Sequence, residues 1–168
     1  EVVRVAHAAG VDVEAEIGSI AGSAVDPSSS GPEARFTDPE VAADFVDRTG
    51  ADVLAVSFGN VHGVYRGAPH LDLGRLRAIH DHVSIPLSMH GASGLSYDDY
   101  APIVESGISK ICYYTAMGIG ASDRIRDFLV NAGEGNAVYH QILACAVDYF
   151  RTETERLIDL VGCAGVAV

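Results

Sequence analysis

The sequence contains few basic residues and no tryptophan. Its 168 residues include 11 Lys and Arg against 23 Asp and Glu, so the formal net charge is −12 at pH 7. Proteins that bind nucleic acid use a basic surface to displace counterions from the phosphates. The scarcity of basic residues therefore argues against a nucleic-acid partner. An anionic ligand would have to be bound by backbone amides, a metal and a few arginines.

Long apolar runs and paired cysteines are also missing. No segment approaches the roughly 20 apolar residues that cross a bilayer, and no basic-then-apolar leader opens the chain. The three cysteines, Cys112, Cys145 and Cys163, are odd in number and lack metal-type spacing, as is typical of reduced thiols. We therefore expect a cytoplasmic protein without membrane contact. The first residues run directly into a helical pattern, as expected of a chain cut from a longer protein.

The residues that are present predict an α/β fold. Hydrophobic residues make up 48% of the chain, and much of this content lies in four short segments that read as strands. Near-continuous apolar strands indicate burial on both faces, and their alternation with helical patterns indicates a parallel sheet. The predicted strands are Val11–Ile17, Val53–Phe58, Ile85–His90 and Lys110–Tyr114. The predicted helices run from Pro39 to just before Gly50, and over Leu73–His82, Tyr97–Ser106, Ser122–Val130 and about Ala137–Leu160.

Four strand–helix units make about half of an eight-stranded TIM (β/α) barrel, which takes roughly 250 residues. We therefore expect residues 1–168 to form about half of such a barrel. The Ser-, Pro- and Gly-rich segment Gly22–Glu33 predicts a mobile loop where barrels place active-site lids. Four strands alone would expose two sheet edges and an apolar face. We expect a homo-oligomer or a complementary half-barrel chain to cover them.

Two histidines follow neighbouring predicted strands. His62 and His90 are 28 residues apart, close to one β/α repeat of about 30 residues. Adjacent strand ends lie about 5 Å apart, so both imidazoles can converge on one metal ion. A single histidine at a strand end is more often structural, but two of them, each followed by glycine, favour a metal site. The turn Gly91–Gly94 has the backbone amides and the hydroxyl that can cradle a phosphate.

Four motifs together resemble a known enzyme family. They are VEAEIG at residues 13–18, HGVY at 62–65, HGASG at 90–94 and GCAGVA at 162–167. In this order and spacing they resemble the class II fructose-bisphosphate and tagatose-bisphosphate aldolases, across nearly all 168 residues. The resemblance implies a TIM barrel that binds Zn²⁺ through three histidines. Residues 1–168 would be the C-terminal half of this barrel, with the upstream half absent. The resemblance further implies a carbon–carbon lyase of carbohydrate metabolism, including glycolysis. Such an enzyme would cleave or form a ketose (bis)phosphate through a metal-stabilised enediolate of dihydroxyacetone phosphate.

The resemblance also assigns residues to the site. His62 and His90 would be two of the zinc ligands, while the third histidine and the catalytic aspartate would lie upstream of Glu1. Glu16 would lie near the metal and bind it in an alternative position, because a buried carboxylate needs a cation or donors. Glu14 would form an ion pair within the barrel. The phosphate would be bound by Gly63, Gly91, Ser93 and Thr115, with a monovalent cation (Na⁺ or K⁺) nearby.

Three departures from the family pattern concern the substrate side. Cys112 stands where the family has an asparagine that contacts the substrate, and Ala116 stands where it has an aspartate. The acidic pair that assists proton transfer is replaced by a segment that includes Ala24. Three hypotheses follow: a zinc-dependent aldolase that works only with its upstream half, a non-catalytic sugar-phosphate-binding or assembly subunit, and a zinc hydrolase on the same barrel.

Overall fold

A computed structural model of the chain describes residues 1–22, 35–63, 65, 67, 69–133 and 137–165. Apart from Gly22, the predicted loop Gly22–Glu33 lies outside these residues, and so does Ala24. The described residues form a parallel sheet with helices between its strands, which confirms the predicted α/β class. None of the described helices has the length and apolar composition needed to cross a membrane.

The main sheet has four parallel strands, one for each strand predicted from the sequence. Their order is β1-β3-β5-β6, and a small parallel pair, β2 and β4, extends beyond them. The strands are β1 (Glu14–Ile17), β2 (Ala21–Gly22), β3 (Val53–Val56), β4 (Val61–His62), β5 (Leu87–Met89) and β6 (Ile108–Ile111). The predicted start of β6, at Lys110, is two residues too late. Ser109 and Lys110 are polar and exposed, so they interrupt the apolar pattern by which the strands were predicted.

Six helices are present in the described residues: α1 (Val2–Ala8), α2 (Pro39–Thr49), α3 (Leu73–His82), α4 (Tyr97–Glu105), α5 (Thr115–Ala132) and α6 (Tyr139–Leu160). The limits predicted for α2 are confirmed, since Asp38 accepts hydrogen bonds from the amides of Glu40 and Val41, and Gly50 ends the helix in a left-handed conformation. Helix α5 begins at Thr115, seven residues before the predicted start at Ser122. The added first turns contain Gly120, which lies directly against the Tyr149 hydroxyl of α6, where a side chain would not fit.

The hydrophobic core lies on one face of the sheet, between the strands and helices α2, α3 and α4. Its largest fully buried side chains are Tyr100, Phe58, Leu54, Leu76, Ile79, Leu87, Met89 and Ile103. The expectation that every strand is buried on both faces is wrong for β1, where Glu14 and Glu16 alternate with the more buried Ala15 and Ile17. The carboxylates face away from the core, so β1 has one apolar side and one polar side.

The side of the sheet opposite the core is polar. We call Glu14, Glu16, Ser88 and Lys110 the polar face, because the strand register aligns Glu16 with Ala55, Ala55 with Ser88, and Ser88 with Lys110. Glu14 of β1 bonds Lys110 of β6, although these strands are the two edges of the sheet. In a flat sheet the edges would lie three strand spacings, roughly 14 Å, apart. The contact indicates a sheet that curves around its polar face, but within the described residues the sheet remains open.

Candidate metal and phosphate site

A cavity of about 190 Å³ opens where β4, β5 and β6 end. It contains all but one of the predicted metal-binding, phosphate-binding and substrate-contacting residues, together with Tyr114, which the sequence analysis had not singled out. The lining residues are His62, Gly63, His90, Gly91, Ser93, Cys112, Tyr114 and Thr115. The exception is Glu16, which lies beside the cavity against the ring of His90. The structure thus brings together residues that are far apart in the sequence.

The two imidazoles lie close enough to share one ion. The ring centroids of His62 and His90 are 6.0 Å apart, and the rings are inclined by 33°. A zinc–nitrogen bond is about 2.0–2.1 Å and zinc ligands are tetrahedral, so two rings on one ion have centroids roughly 5 Å apart. The observed separation is about 1 Å larger, so a small movement of the two rings would bring both nitrogens onto one ion. Within the described ranges, no group of three or more His, Cys, Asp or Glu side chains forms a complete metal site. Two imidazoles with a carboxylate alongside nevertheless suit zinc chemistry.

Burial favours the neutral form of the His62 ring. Removal from water lowers the pKa of this imidazole, and the neighbouring His90 acts in the same direction, while the negative charge of Glu16 opposes both. The net result is a pKa below the ordinary value of 6.5. Metals bind the neutral form of histidine, so this environment favours the form of His62 that can act as a ligand.

Both ring nitrogens of His90 face carboxylates. Its Nε2 is hydrogen-bonded to Glu14 Oε1 at 2.6 Å, and its Nδ1 lies 2.9 Å from Glu16 Oε2. The second oxygen of Glu14 bonds the ammonium of Lys110. Partial burial would raise the pKa of the Glu14 carboxyl, but the bonds from Lys110 and His90 outweigh it and the pKa is lowered. The bond to Glu14 likewise raises the pKa of Lys110, against a smaller effect of burial.

A buried asparagine ties the two histidine turns together. Asn60 Oδ1 accepts a hydrogen bond from the Phe58 amide at 2.9 Å. Its Nδ2 donates to the backbone oxygens of Val56 at 3.2 Å and His90 at 2.9 Å. The end of β3 is thereby fixed to the turn that follows β5. The sequence analysis missed this role; the available signal was an amide residue between a buried strand and a histidine.

Tyr65 links the same two turns from the other side. Its hydroxyl accepts a hydrogen bond from the Val61 amide and donates one to the Gly91 oxygen, each at 3.0 Å. Burial raises the pKa of Tyr65 to about 12, so the phenol keeps its proton at neutral pH. Tyr65 therefore holds the two turns in place, a role that the sequence analysis did not assign to it.

The other end of the cavity has the features of an anion site. Thr115 is the first residue of α5, and the N-terminus of a helix presents amides and a partial positive charge. Buried Ser93 accepts a hydrogen bond from the Ala116 amide at 3.2 Å, which holds the Gly91–Gly94 turn against the start of α5. Backbone amides and a hydroxyl therefore converge at the start of α5. These groups can bind an anion without a basic side chain, and the chain has only 11 Lys and Arg.

Comparison with known proteins points to one family. The family model described as fructose-bisphosphate aldolase class-II matches residues 1–166. Among solved structures, the YdjI aldolase from Escherichia coli K12 is 32% identical (TM-score 0.80, 99% of this chain and 55% of that chain). A putative fructose-1,6-biphosphate aldolase from Coccidioides immitis is 27% identical, with a TM-score of 0.83 over 97% of this chain and 56% of that chain. The fructose-bisphosphate aldolase from Campylobacter jejuni, at 24% identity and a TM-score of 0.73, shares the fold over 96% of this chain and 55% of that chain. The chain thus spans little more than half the length of these proteins.

Proposed function

The chain belongs to the class II fructose-bisphosphate aldolase family, and from this premise we propose that it is the part of an aldolase that binds the substrate phosphate and provides two of the metal ligands. The proposed reaction is cleavage or formation of a carbon–carbon bond in a ketose phosphate. The observation that carries the proposal is the pair of imidazoles with centroids 6.0 Å apart in a cavity that also contains the Gly91–Ser93 turn.

For the metal we propose Zn²⁺, held by His62 and His90, with Glu16 as a ligand in an alternative position. Bound zinc supplies a Lewis acid that polarises substrate oxygens. The chain's own contribution is to hold together, through Asn60 and Tyr65, the two turns that carry His62 and His90, independently of the metal. Ligands fixed in advance need little reorganisation during the reaction. The third histidine and the general base would come from residues that precede Glu1 in the complete protein.

For the substrate we propose a phosphorylated sugar whose phosphate contacts Gly63, Gly91, Ser93 and Thr115, with Na⁺ or K⁺ nearby. Binding energy at the phosphate can orient the reacting carbons at the metal end of the cavity. Cys112 also lines the cavity and is the candidate substrate contact. A thiol is a weaker hydrogen-bond partner than an amide, so Cys112 would bind substrate oxygens less strongly than the family's asparagine.

We further propose that residues 1–168 are the C-terminal half of a (β/α)₈ barrel. The curvature of the sheet and the charged polar face support this, because the polar side chains would line the interior of the barrel. Ser88 Oγ, on the same face, is buried and has no hydrogen-bond partner among the described residues. The upstream half would be supplied by a longer chain, a separate chain or another copy.

The 168-residue chain alone is expected to self-associate or aggregate rather than remain a monomer. Both edge strands present unpaired backbone amides and carbonyls, which are templates for pairing with another chain. Multi-angle light scattering on the purified chain measures this, with the full-length protein as the control. A monodisperse species with the mass of one 17.6 kDa chain would contradict the half-barrel proposal.

A second candidate function is a non-catalytic sugar-phosphate-binding or assembly subunit. The observation that favours it is the loss of the family's polar side chains at Cys112 and Ala116, which leaves the substrate side of the cavity with fewer donors and acceptors.

Retro-aldol assays on the full-length protein separate the two candidates. We expect release of dihydroxyacetone phosphate from at least one ketose phosphate, with fructose and tagatose bisphosphates as the first substrates. The activity should disappear on treatment with a chelator and return with zinc. A protein that binds zinc and phosphate but cleaves none of a panel of ketose phosphates would be the non-catalytic subunit.

A further inference from the structure

We propose that Glu14, held in place by Lys110, is a positioning residue that fixes the ring of His90 so that Nδ1 is the metal-binding nitrogen and Nε2 carries the proton. The inference rests on the metal site proposed above. It goes beyond that proposal because it assigns a role to two residues outside the cavity lining and selects one of the two ring nitrogens as ligand.

The geometry around His90 decides which nitrogen is available. Each ring nitrogen of His90 faces one carboxylate, and only one of the two nitrogens can bind the metal. Glu16, which faces Nδ1, lies nearer the end of β1, on the side where the cavity that contains both histidines opens. Glu14 faces Nε2 and lies two residues earlier in β1, further from the end of the strand where the cavity opens. A metal bound by both histidines therefore fits on the Nδ1 side.

The Lys110 contact makes Glu14 a fixed acceptor. One carboxylate oxygen bonds His90 Nε2 and the other bonds the Lys110 ammonium, so the carboxylate is held from both ends. The Glu14 side chain is only 25% exposed, as is that of His90, whereas Lys110 is 51% exposed. Glu14 thus combines a partly desolvated bond to the ring with a cation that neutralises its charge. Metal-binding histidines commonly donate their second ring N–H to a carboxylate of this kind, which sets the tautomer and ring orientation.

Cobalt titration of the full-length protein tests the role without depending on catalysis. Co²⁺ reports ligand number and geometry through its visible absorbance, and circular dichroism checks that each variant is folded. Glu14→Ala is expected to weaken Co²⁺ binding about 10- to 100-fold. Lys110→Met should weaken it less, and Lys110→Arg should restore it because the cation is retained. The matched control is Asp44→Asn, which breaks the exposed Asp44–Arg48 pair on α2 and should leave Co²⁺ binding unchanged.

The tautomer provides a second readout. In ¹⁵N spectra of the zinc-loaded protein, His90 should show a protonated Nε2 and a zinc-bound Nδ1, and Glu14→Gln should weaken zinc binding while leaving the fold intact. A zinc-bound Nε2, or Co²⁺ affinity in Glu14→Ala equal to that of the wild type, would overturn the positioning role alone. If the wild-type protein binds no Co²⁺ or Zn²⁺, the proposed function fails and the positioning role fails with it.

Discussion

Replacing His90 with alanine in the full-length protein is expected to abolish stoichiometric zinc binding and to lower kcat/KM for ketose phosphate cleavage roughly 10³-fold or more. The substitution removes a ligand from a site in which preorganised charge contributes several kcal/mol, and about 1.4 kcal/mol corresponds to a factor of ten in rate. It also removes the imidazole ring that lies between Glu14 and Glu16, so the two carboxylates would then face each other. Zinc analysis and steady-state kinetics on the same preparation measure both effects.

The control for this substitution is His82→Ala. His82 ends α3 on the protein surface, where its Nδ1 is bonded to the Ala78 carbonyl, so its loss should leave zinc content and kcat/KM close to wild type. A His90→Ala protein that retains one zinc per chain and near-normal kcat/KM would place the metal centre elsewhere. Loss of activity in both variants would indicate a general effect of removing a histidine.

Replacing Gly91 with alanine is expected to destabilise the protein and to weaken binding of inorganic phosphate. Gly91 has a φ of +70°, a conformation that costs a residue with a Cβ roughly 1–2 kcal/mol. The added Cβ would also lie 2.4 Å from the Val61 oxygen, a rigid backbone atom directly before His62. The turn must therefore move away from β4, which displaces the amides that are proposed to contact the phosphate. Chemical unfolding and phosphate titration measure the two consequences.

Gly10 provides a matched control, since Gly10→Ala introduces the left-handed strain without the clash. Gly10 has a φ of +69°, and a Cβ added there would meet no atom within 4 Å. Gly91→Ala should lower the free energy of unfolding by clearly more than Gly10→Ala, and only Gly91→Ala should weaken phosphate binding. Equal losses of stability in the two variants, with phosphate affinity unchanged in both, would show that the close approach of Gly91 to Val61 is not needed.

Local signals in the sequence predicted much of the fold. Asp38, Pro39 and Gly50 specify the two ends of α2, and the structure places both ends where these residues predict. The short pair β2–β4 was not predicted, because two-residue strands carry no periodicity. The open sheet follows from the strand order, and closure into a barrel stays a prediction.

The candidate site was predictable to the extent that it depends on spacing and motifs. His62 and His90 fall one repeat apart, and the structure places their rings 6.0 Å apart. Their assignment as ligands stays a prediction, since no metal binding has been tested. The contact between Glu14 and His90 joins residues 76 positions apart, and no spacing rule indicates which of the two β1 carboxylates meets which ring nitrogen. That choice depends on the curvature of the sheet, which is a property of the folded molecule.

The most direct test of the account is anomalous diffraction at the zinc edge from crystals of the zinc-loaded, full-length protein. The account predicts one strong peak per chain, about 2.0–2.1 Å from His90 Nδ1 and at the same distance from a ring nitrogen of His62. A peak elsewhere, with Glu14 and Glu16 both still bonded to the His90 ring, would contradict it.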